Sequence, residues 1–599
     1  MKPYILKPHF TRKTTIMPKS DERVPKALFE VECIAPDLSD FPLPLPSKKS
    51  DYTCFAKGEN GVIWYGATTG LTRYDENGYF PEDKIMYFSS GRQLYNNKVD
   101  AIYAQGDNAW VLTGDYVTFV EMIKMTCEEK ADILLDETLN YVMRRGMVSQ
   151  RDLQIPGDKE SVFPYAASDN DGTFTAGFAL GEMMHYAVFR DKYGEDDART
   201  QEARRVATLA CEGCLLLMYV HGRPEGFVSR SYHLTGEPVP DDGLFYKRSG
   251  KTAKAVETTY TKRHNYVGEE VPCDHPIPER LRKLFTDLGF TEDDITYKAD
   301  TSSDEITSHF MQMRVAHDIL GEKDPELDEI IKDACKRTML HIINGGFELC
   351  EHDGRATTWA KWSKKYFEND PTGYVDAPLN SAEVLFYLKA VMHITGEKGI
   401  WQETYDKLVA EGYADTTTKH FDRFYQGAMR EGCAPEEDLM YGDNMLALMT
   451  FSMICTLEED EVLLGKYREA LKSWKGTLLR EHTPGYDFLY KMGCPDAEID
   501  FERDAKWFYH FETNRLGGIV NMLRHDTPVK LSRGEENEWP ERELSTLLMC
   551  DERIISKYDR NPFSSFPSDG APSKYIESCY IYTMGYWLGR YYGFIAEED

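Results

Sequence analysis

Side chains suited to chemistry concentrate between Asp300 and Trp362, in two short segments at the two ends of this stretch. The first segment, DTSSDEITSHF, spaces Ser302 and Glu305 as in a capping box, which predicts the start of a helix. On that helix Glu305 and His309 share a face, so a carboxylate lies beside an imidazole. The second segment, EHDGRATTWAKW, is too rich in charged and aromatic residues for a packing helix. We interpret the two segments as neighbouring walls of one polar, aromatic-lined pocket.

Three further clusters of polar residues occupy predicted helix starts. They are SDNDG (168–172), LNSAE (379–383) and YGDN (441–444), and Asn380 with Glu383 again has capping-box spacing. Each cluster is a good N-cap by itself. If alternate helix starts share one rim of a closed helical ring, the clusters form a polar funnel whose orphan N–H groups favour a carboxylate-bearing ligand.

The sequence lacks the common nucleotide-binding, zinc-protease and serine-hydrolase motifs: it has no P-loop, no strand-borne GxGxxG, no HExxH and no GxSxG. Carboxylates, aromatic rings and guanidinium groups remain, and these are typical of sugar chemistry. We therefore hypothesise a glycoside hydrolase acting on a uronate-containing oligosaccharide or polysaccharide. One of Asp304 and Asp353, its pKa raised by burial, protonates the leaving oxygen, and the other acid activates water.

The candidate site residues form a catalytic set and a substrate-binding set. The catalytic set adds Glu305, His309 and His352 to Asp304 and Asp353. The histidines lack a compact metal-ligand spacing, so we expect no metal and no other cofactor. The substrate-binding set offers polar groups, arginine clamps and aromatic platforms: Asp171, Arg230, Tyr232, Arg355, Trp359, Trp362, Asn380, Tyr441, Asp443 and Asn444.

Two other functions stay open at this point. A polysaccharide lyase would use His309 or His352 with a tyrosine such as Tyr232 to abstract the proton alpha to a uronate carboxyl, whose growing charge Arg230, Arg355 or Asn380 would neutralise. A non-catalytic glycan-binding scaffold would bind such a ligand without turnover. The sequence does not separate hydrolysis from elimination, nor a retaining from an inverting mechanism.

Composition excludes several classes of partner. The 599 residues carry a formal charge of −31, which opposes bulk attraction to nucleic acid or to an anionic membrane. No apolar run is long enough to span a bilayer, and the basic N-terminus has no secretory apolar core. Thirteen scattered cysteines favour buried thiols in a reducing compartment over a disulfide framework. We therefore expect a cytoplasmic protein, of an oligomeric state that the sequence does not indicate.

Hydrophobic periodicity divides the chain into an extended lead-in (1–50), a small β region (51–120) and a long helical domain (121–599). The expected fold is mainly α, and the irregular helix spacing favours a closed toroid of the (α/α)6 type over an open superhelix. Two tryptophan-centred hairpins are predicted at 61–75 and 108–120. Helices are predicted near 122–145, 173–194, 199–219, 278–289, 304–320, 325–344, 380–395, 400–411, 418–429, 443–457, 460–479, 500–524 and 575–594.

The motif IWYGATTGLTRYD (63–75) resembles the repeat of two-component-regulator propeller proteins. Several further motifs are similar to proteins that join a propeller fragment to a helical domain, and more distantly to α/α-toroid carbohydrate enzymes such as glucuronyl hydrolases and heparinase-type lyases. These motifs are SDNDGTFTAGFALGEMMHYAVF, GFVSRSY, DTSSDEITSHF, HDGRATTWAKWS, LNSAEVLFYLKAVMHITGE, RNPFSSF and YWLGRYYG.

The resemblance covers roughly residues 51–595 and implies a β region like part of a β-propeller, joined to a toroidal domain that degrades polysaccharide. The chain departs from the pattern at Phe310 and Met311, where the family has Tyr-Phe, and this departure weakens the lyase hypothesis. The matched positions are Asp169, Asn170, Asp171, Gly172, Ser229, Arg230, Asp304, Glu305, His309, Asp353, Gly354, Arg355, Trp359, Asn380 and Glu383.

Overall fold

The computed structural model describes residues 2–43, 45–90, 93–163, 169–419, 441–473, 483–516, 550–552 and 574–598. Over these residues the chain is mainly α-helical, with a β region at its N-terminal end. The predicted fold class is confirmed at this level.

Two four-stranded antiparallel sheets make up the β region, and their facing side chains form one core around Trp64. The predicted hairpins at 61–75 and 108–120 are confirmed as β4–β5 and β8–β9. One sheet has the order β3-β4-β5-β6, and the other β2-β9-β8-β7. Strand β1 (Tyr4–Leu6) precedes these sheets and belongs to neither. The eight strands of the sheets are β2 (His9–Pro18), β3 (Tyr52–Lys57), β4 (Val62–Ala67), β5 (Gly70–Asp75), β6 (Ile85–Phe88), β7 (Ala101–Gln105), β8 (Asn108–Thr113) and β9 (Tyr116–Met125).

The N-terminal lead-in is not simply extended, because strand β2 forms within it. This strand pairs with β9 along its whole length, from His9 opposite Met125 to Pro18 opposite Tyr116. The partner is a hundred residues away, so local sequence gave no sign of the pairing. The same ladder keeps residues 122–125 in a strand, and the helix predicted from 122 begins only at Cys127, with Thr126 and Glu129 forming its capping box.

The helices that follow match most of the predicted segments, and one of them, 325–344, has the predicted bounds. The helix predicted at 380–395 begins earlier, and the one predicted at 500–524 ends at His510. The segments 420–429, 474–479 and 517–524 lie outside the described residues. The helices are α1 (Cys127–Glu137), α2 (Asp171–Tyr193), α3 (Ala198–Leu217), α4 (Thr259–Arg263), α5 (Glu279–Thr286), α6 (Ser303–Ile319), α7 (Pro325–Asn344), α8 (Lys364–Asn369), α9 (Pro371–Thr395), α10 (Gly399–Ala410), α11 (Tyr413–Lys419), α12 (Tyr441–Leu457), α13 (Glu461–Ser473), α14 (Pro484–Gly493), α15 (Phe501–His510) and α16 (Tyr580–Tyr591).

Six helices are packed in a cyclic order. Helix α2 packs against α6, α6 against α9, α9 against α12, α12 against α14, α14 against α16, and α16 returns to α2. Nearly every described side chain of α2 and α14 is buried, which explains why neither shows a clean polar face. Other helices pack on this set from outside it, with α3 against α2 and α13 against α12.

Short sheets occur between the helices. Residues 223–275 contribute to a five-stranded sheet of order β11-β15-β12-β13-β14. Its strands are β11 (Ser231–His233), β12 (Phe245–Ser249), β13 (Thr252–Ala255), β14 (Glu270–Pro272) and β15 (Thr296–Lys298), and a hairpin follows as β16 (Glu348–Cys350) and β17 (Ala356–Lys361). Two pairs of distant strands complete the described sheets: β10 (Arg151–Asp152) with β18 (Tyr575–Ile576), and β1 with β19 (Ile595–Glu597).

None of the helices in the described part of the chain combines the length and the apolar character needed to cross a bilayer.

Candidate active site

The start of α6 lies where it was predicted, but the capping box does not form. Ser302 is the N-cap residue, yet its side chain caps no backbone N–H. Its hydroxyl instead donates to the carboxylate of Asp304, one turn into the helix. Glu305 is fully buried and faces α2. The prediction was wrong because tertiary contacts with α2 and with Asp304 replaced the local reciprocal bonds.

Glu305 and His309 lie at the contact between α6 and α2. The Glu305 carboxylate accepts a 3.1 Å bond from Thr173, and Gly172 makes the approach possible because a Cβ there would clash with both side chains. The His309 ring nitrogens lie 2.7 Å from the carbonyl oxygen of Glu305 and 3.1 Å from that of Cys214. Burial lowers the pKa of His309. This imidazole holds helices together and does not face a ligand.

Asp171, the acid at the start of α2, accepts hydrogen bonds from three side chains. Asp171 is fully buried and accepts bonds of 2.8 Å from Arg144, 2.6 Å from Ser149 and 2.7 Å from Ser231. Three donors surround one carboxylate at a helix N-terminus, so its charge is stabilised where the helix dipole also favours it. Asp171 therefore anchors the structure.

Arg230, a predicted clamp for a substrate carboxylate, is used in a similar way. Its guanidinium donates to the carbonyl oxygens of Asp169 (2.7 Å) and Asp300 (3.3 Å) and to the side chain of Asn170 (3.2 Å). These bonds tie the residues before α2 to the residues before α6. Arg230 thus positions two helix starts against each other.

Four carboxylates from three helices form what we call the acid cluster: Asp304 on α6, Asp376 and Glu383 on α9, and Asp443 on α12. Burial raises the pKa of Asp443 to about 7, and the negative charges of Asp376 and Asp304 add to the effect. The pKa of Asp376 is also raised by burial. Because the charge of one acid raises the pKa of another, these acids lie near one another although they are distant in sequence. Asp304 and Asp443 are both partly exposed.

Glu383 is the buried member of the acid cluster. Its two oxygens accept bonds from the Trp362 indole (2.8 Å) and the Thr307 hydroxyl (3.1 Å). Burial raises its pKa to about 8, and Asp304 and Asp443 contribute. Trp362 is fully buried, so it fixes a carboxylate and does not offer a ring face to a ligand. Thr307 also bonds the Tyr387 hydroxyl, at 2.6 Å.

The expected helix start at 379–383 was wrong, and this error hid one acid. Helix α9 begins at Pro371 behind the N-cap Asp370, and it continues through Pro378. The Asp-Pro pair is itself a start signal, and from it Asp376 and Glu383 are two turns apart on one face. Asp376 accepts a 2.8 Å bond from the Tyr366 hydroxyl, and this contact was not foreseen.

The two segments of the Asp300–Trp362 stretch do meet, through residues that were not singled out. Asp300 has a left-handed backbone (φ +51°), which aspartate tolerates better than most residues. Its N–H donates to Glu351 (2.8 Å), and its carboxylate accepts from the N–H of Thr358 (2.8 Å). Burial raises the pKa of Glu351 to about 7. The two segments are therefore held together by hydrogen bonds between backbone N–H groups and the carboxylates of Asp300 and Glu351.

Asp353 and Arg355 lie at the exposed turn of the β16–β17 hairpin, around Gly354 (φ +82°). They pair with each other, and Arg355 also donates to the carbonyl oxygen of His264 at 3.0 Å. Burial, followed by the charge of Arg223, lowers the pKa of His352 to about 3. The described contacts do not bring Asp353 to the acid cluster.

The other predicted substrate-binding residues are dispersed. The Tyr232 hydroxyl is buried and accepts a 2.9 Å bond from Arg145, whereas Trp359 is 48% exposed. Asn380 is buried and donates to the carbonyl oxygen of Lys361 at 2.8 Å, and Asn444 is buried beside Asp443 in the sequence. Tyr441 is the first residue of α12, and its side chain lies outside the described part of the structure.

Within the described ranges, no group of three or more histidine, cysteine, aspartate or glutamate side chains is arranged to hold a metal ion. The C-x-x-C cysteines, Cys211 and Cys214, are buried free thiols on α3, and burial raises the pKa of both.

Comparison with protein-family models and with curated proteins finds no match. Among solved structures, a single mutant of the thermostable endoglucanase from Alicyclobacillus acidocaldarius is similar over 90% of this chain and 98% of that chain, with 11% sequence identity and a TM-score of 0.30. A likeness at this level carries no argument about the activity of the chain.

Proposed function

We propose that the cyclic set of six helices is the inner layer of an (α/α)6 toroid. The support is its packing order, which returns from α16 to α2. The connections that lead into these helices are the long ones, as in 218–302 before α6 and 345–370 before α9. The connections that leave them are short, as in 194–197 after α2 and 320–324 after α6. In such a toroid the N-terminal ends of the inner helices share the rim where the long segments lie.

On this rim, we propose, the acid cluster is the active site of a glycoside hydrolase. The observation that carries the proposal is the convergence of Asp304, Asp376 and Asp443 from the N-terminal parts of α6, α9 and α12. Asp443 would be the general acid, because a pKa of about 7 keeps a large share of its side chains protonated at neutral pH, whereas an ordinary aspartate is ionised there. Asp304 would be the second carboxylate, acting on water or on the sugar.

Two further parts complete the proposed site. Glu383 is a positioning residue: its bonds from Trp362 and Thr307 fix a carboxyl group whose pKa is raised by burial and by the charges of Asp304 and Asp443. Trp359, 48% exposed on β17, is the aromatic side chain that would stack on a pyranose ring.

The test is a screen of neutral and uronate-containing oligosaccharides, with product masses read by mass spectrometry. Hydrolysis adds the mass of water to the products, whereas a lyase leaves an unsaturated uronate without it. We expect hydrolysis, and we expect Asp443→Asn to abolish most of it. Asp136→Asn, an exposed aspartate on α1, is the matched control.

Elimination products would support the lyase alternative instead. Binding of an oligosaccharide without turnover would support the glycan-binding scaffold. Hydrolysis that survives Asp443→Asn would overturn the assigned acid.

A further inference from the structure

A cavity of about 500 Å³ lies where the N-terminal β region meets helix α15. Its walls come from β2, β5, β6, β9 and the C-terminal end of α15, and none of its residues belongs to the acid cluster. The volume is within the range of small-molecule sites, which occur preferentially between structural units.

The floor of the cavity is built from the propeller-like motif. Arg73 is 3% exposed, its guanidinium lies 5.8 Å from the ring centre of Trp64, and it pairs with Asp75 at 3.0 Å. Its Nε has no hydrogen-bond partner among the described residues. A buried donor without a partner is costly, and Arg73 brings a buried positive charge to the lining of the cavity.

A partly exposed carboxylate, Asp107, belongs to the same lining. Asp107 is one of the lining residues, and its Oδ1 has no partner in the described part of the chain. Lys7 and Lys124 also line the cavity, and neither is within ion-pair distance of a described carboxylate. A hydroxyl group both donates and accepts, so a polyhydroxylated ligand can satisfy donors and acceptors of this kind together.

Two aromatic side chains flank the opening. Tyr79 is 67% exposed and Phe10 is 43% exposed, and they belong to different elements. The Lys7 ammonium lies 5.2 Å from the centre of the Tyr79 ring. Large aromatic faces left open to solvent beside polar groups are suited to stacking on a flat ring that carries hydroxyls.

The charges of the lining balance. The Asp83 carboxylate lies 2.7 Å from His510 Nε2. Burial disfavours the charged imidazole, but Asp551 and Asp83 raise the pKa of His510 to about 9. A cavity with equal numbers of positive and negative groups favours a ligand without net charge. The positive groups are Lys7, Arg73, Lys124 and His510, and the negative groups are Asp75, Asp83, Asp107 and Glu598.

We propose that this cavity is a binding site for a neutral saccharide, separate from the acid cluster, in which a pyranose ring stacks on Tyr79 and its hydroxyls bond Arg73 and Asp107. The choice of a saccharide rests on the proposed function. The site holds glycan beside the enzyme without cleaving it.

The test uses the full chain carrying Asp443→Asn, so that the ligand is not consumed, and titrates it with cellotriose, maltotriose and xylotriose by calorimetry. We expect at least one trisaccharide to bind. Tyr79→Ala should weaken that binding about ten-fold or more, which corresponds to the loss of roughly 1.4 kcal/mol. Tyr79→Phe, which keeps the ring, should retain it. Tyr95→Ala, at a tyrosine of the β region that is 44% exposed and lies outside the cavity, should leave the dissociation constant unchanged.

The proposal is overturned if none of the three trisaccharides binds, or if binding is indifferent to Tyr79→Ala. Either result leaves the hydrolysis assay of the wild-type chain free to succeed, so the two proposals fail separately. Because Tyr79 is mostly exposed, its substitution should not unfold the chain, and a thermal melt checks this.

Discussion

The acid cluster and the junction between the β region and the helical domain both bury carboxylates, but in opposite electrostatic settings. At the junction, Arg12 pairs with Asp551 (2.9 Å) and with Glu512, and His510 pairs with Asp83 (2.7 Å). In the acid cluster burial and the charges of neighbouring carboxylates raise the pKa of Glu383 to about 8 and that of Asp443 to about 7. Matched charges fasten two parts of the chain together, whereas crowded like charges make groups that exchange protons.

The largest effect should follow from substituting the acid cluster. Asp304→Asn keeps the size of the side chain but removes its charge and its proton, and we expect kcat on the best substrate to fall at least about 100-fold. Asp136→Asn should keep kcat within about two-fold of wild type. Equal activity of the two variants would remove Asp304 from the mechanism.

Breaking the junction should act on stability. Arg12→Met leaves Asp551 and Glu512 buried without this cation, and we expect the free energy of unfolding in urea to fall by about 3–5 kcal/mol. Arg23→Met removes a pair with Asp21 in which the arginine side chain is 60% exposed, and it should change the free energy of unfolding far less than Arg12→Met does. If both cost the same, the buried network does not fasten the two regions.

The pH dependence of stability should separate the two settings. The pKa of Glu383 is raised from 4.5 to about 8. Between these two pH values the folded chain binds a proton that the unfolded chain has released. The contribution of Glu383 to the free energy of unfolding is therefore fully present below pH 4.5 and is lost as the pH rises toward 8. The slope from this one group is at most about 1.4 kcal/mol per pH unit. Glu383→Gln should remove that part of the slope, as measured by urea unfolding at several pH values. An unchanged slope would contradict the raised pKa.

The smallest effect is expected at the hairpin turn. Asp353→Asn breaks an exposed pair with Arg355 and should change the unfolding free energy by less than about 1 kcal/mol. It should also keep kcat within about two-fold of wild type, because Asp353 has no described contact with the acid cluster. A loss of kcat as large as that of Asp304→Asn would instead restore the Asp304–Asp353 pair expected from the sequence.

Local signals predicted much of the fold. The period of 3.6 located α2, α3, α6 and α7 to within two or three residues, and alternation around a Thr-Gly turn located β4–β5. The sequence did not predict the pairing of distant strands, as β2 shows. Its ladder with β9 depends on a strand that the intervening chain brings back.

The sequence predicted part of the candidate site, the acid cluster, because some of its residues have a recognisable local context. Asp304, Glu383 and Asp443 were named because acids stand out near helix starts. His309 and Trp362 were named for their type, and the structure uses both inside the core, bonded to a carbonyl oxygen and to a carboxylate. A residue type shows which chemistry is available, but burial decides whether a ligand can reach it.

The sequence by itself determined where most helices run and which kinds of side chain begin them, because caps and periodicity act over a few residues. The tertiary structure alone decided which carboxylates lie close enough to raise one another's pKa and which are paired with a cation. That choice depends on distances across three helices and on the removal of water, and neither is encoded within a single segment.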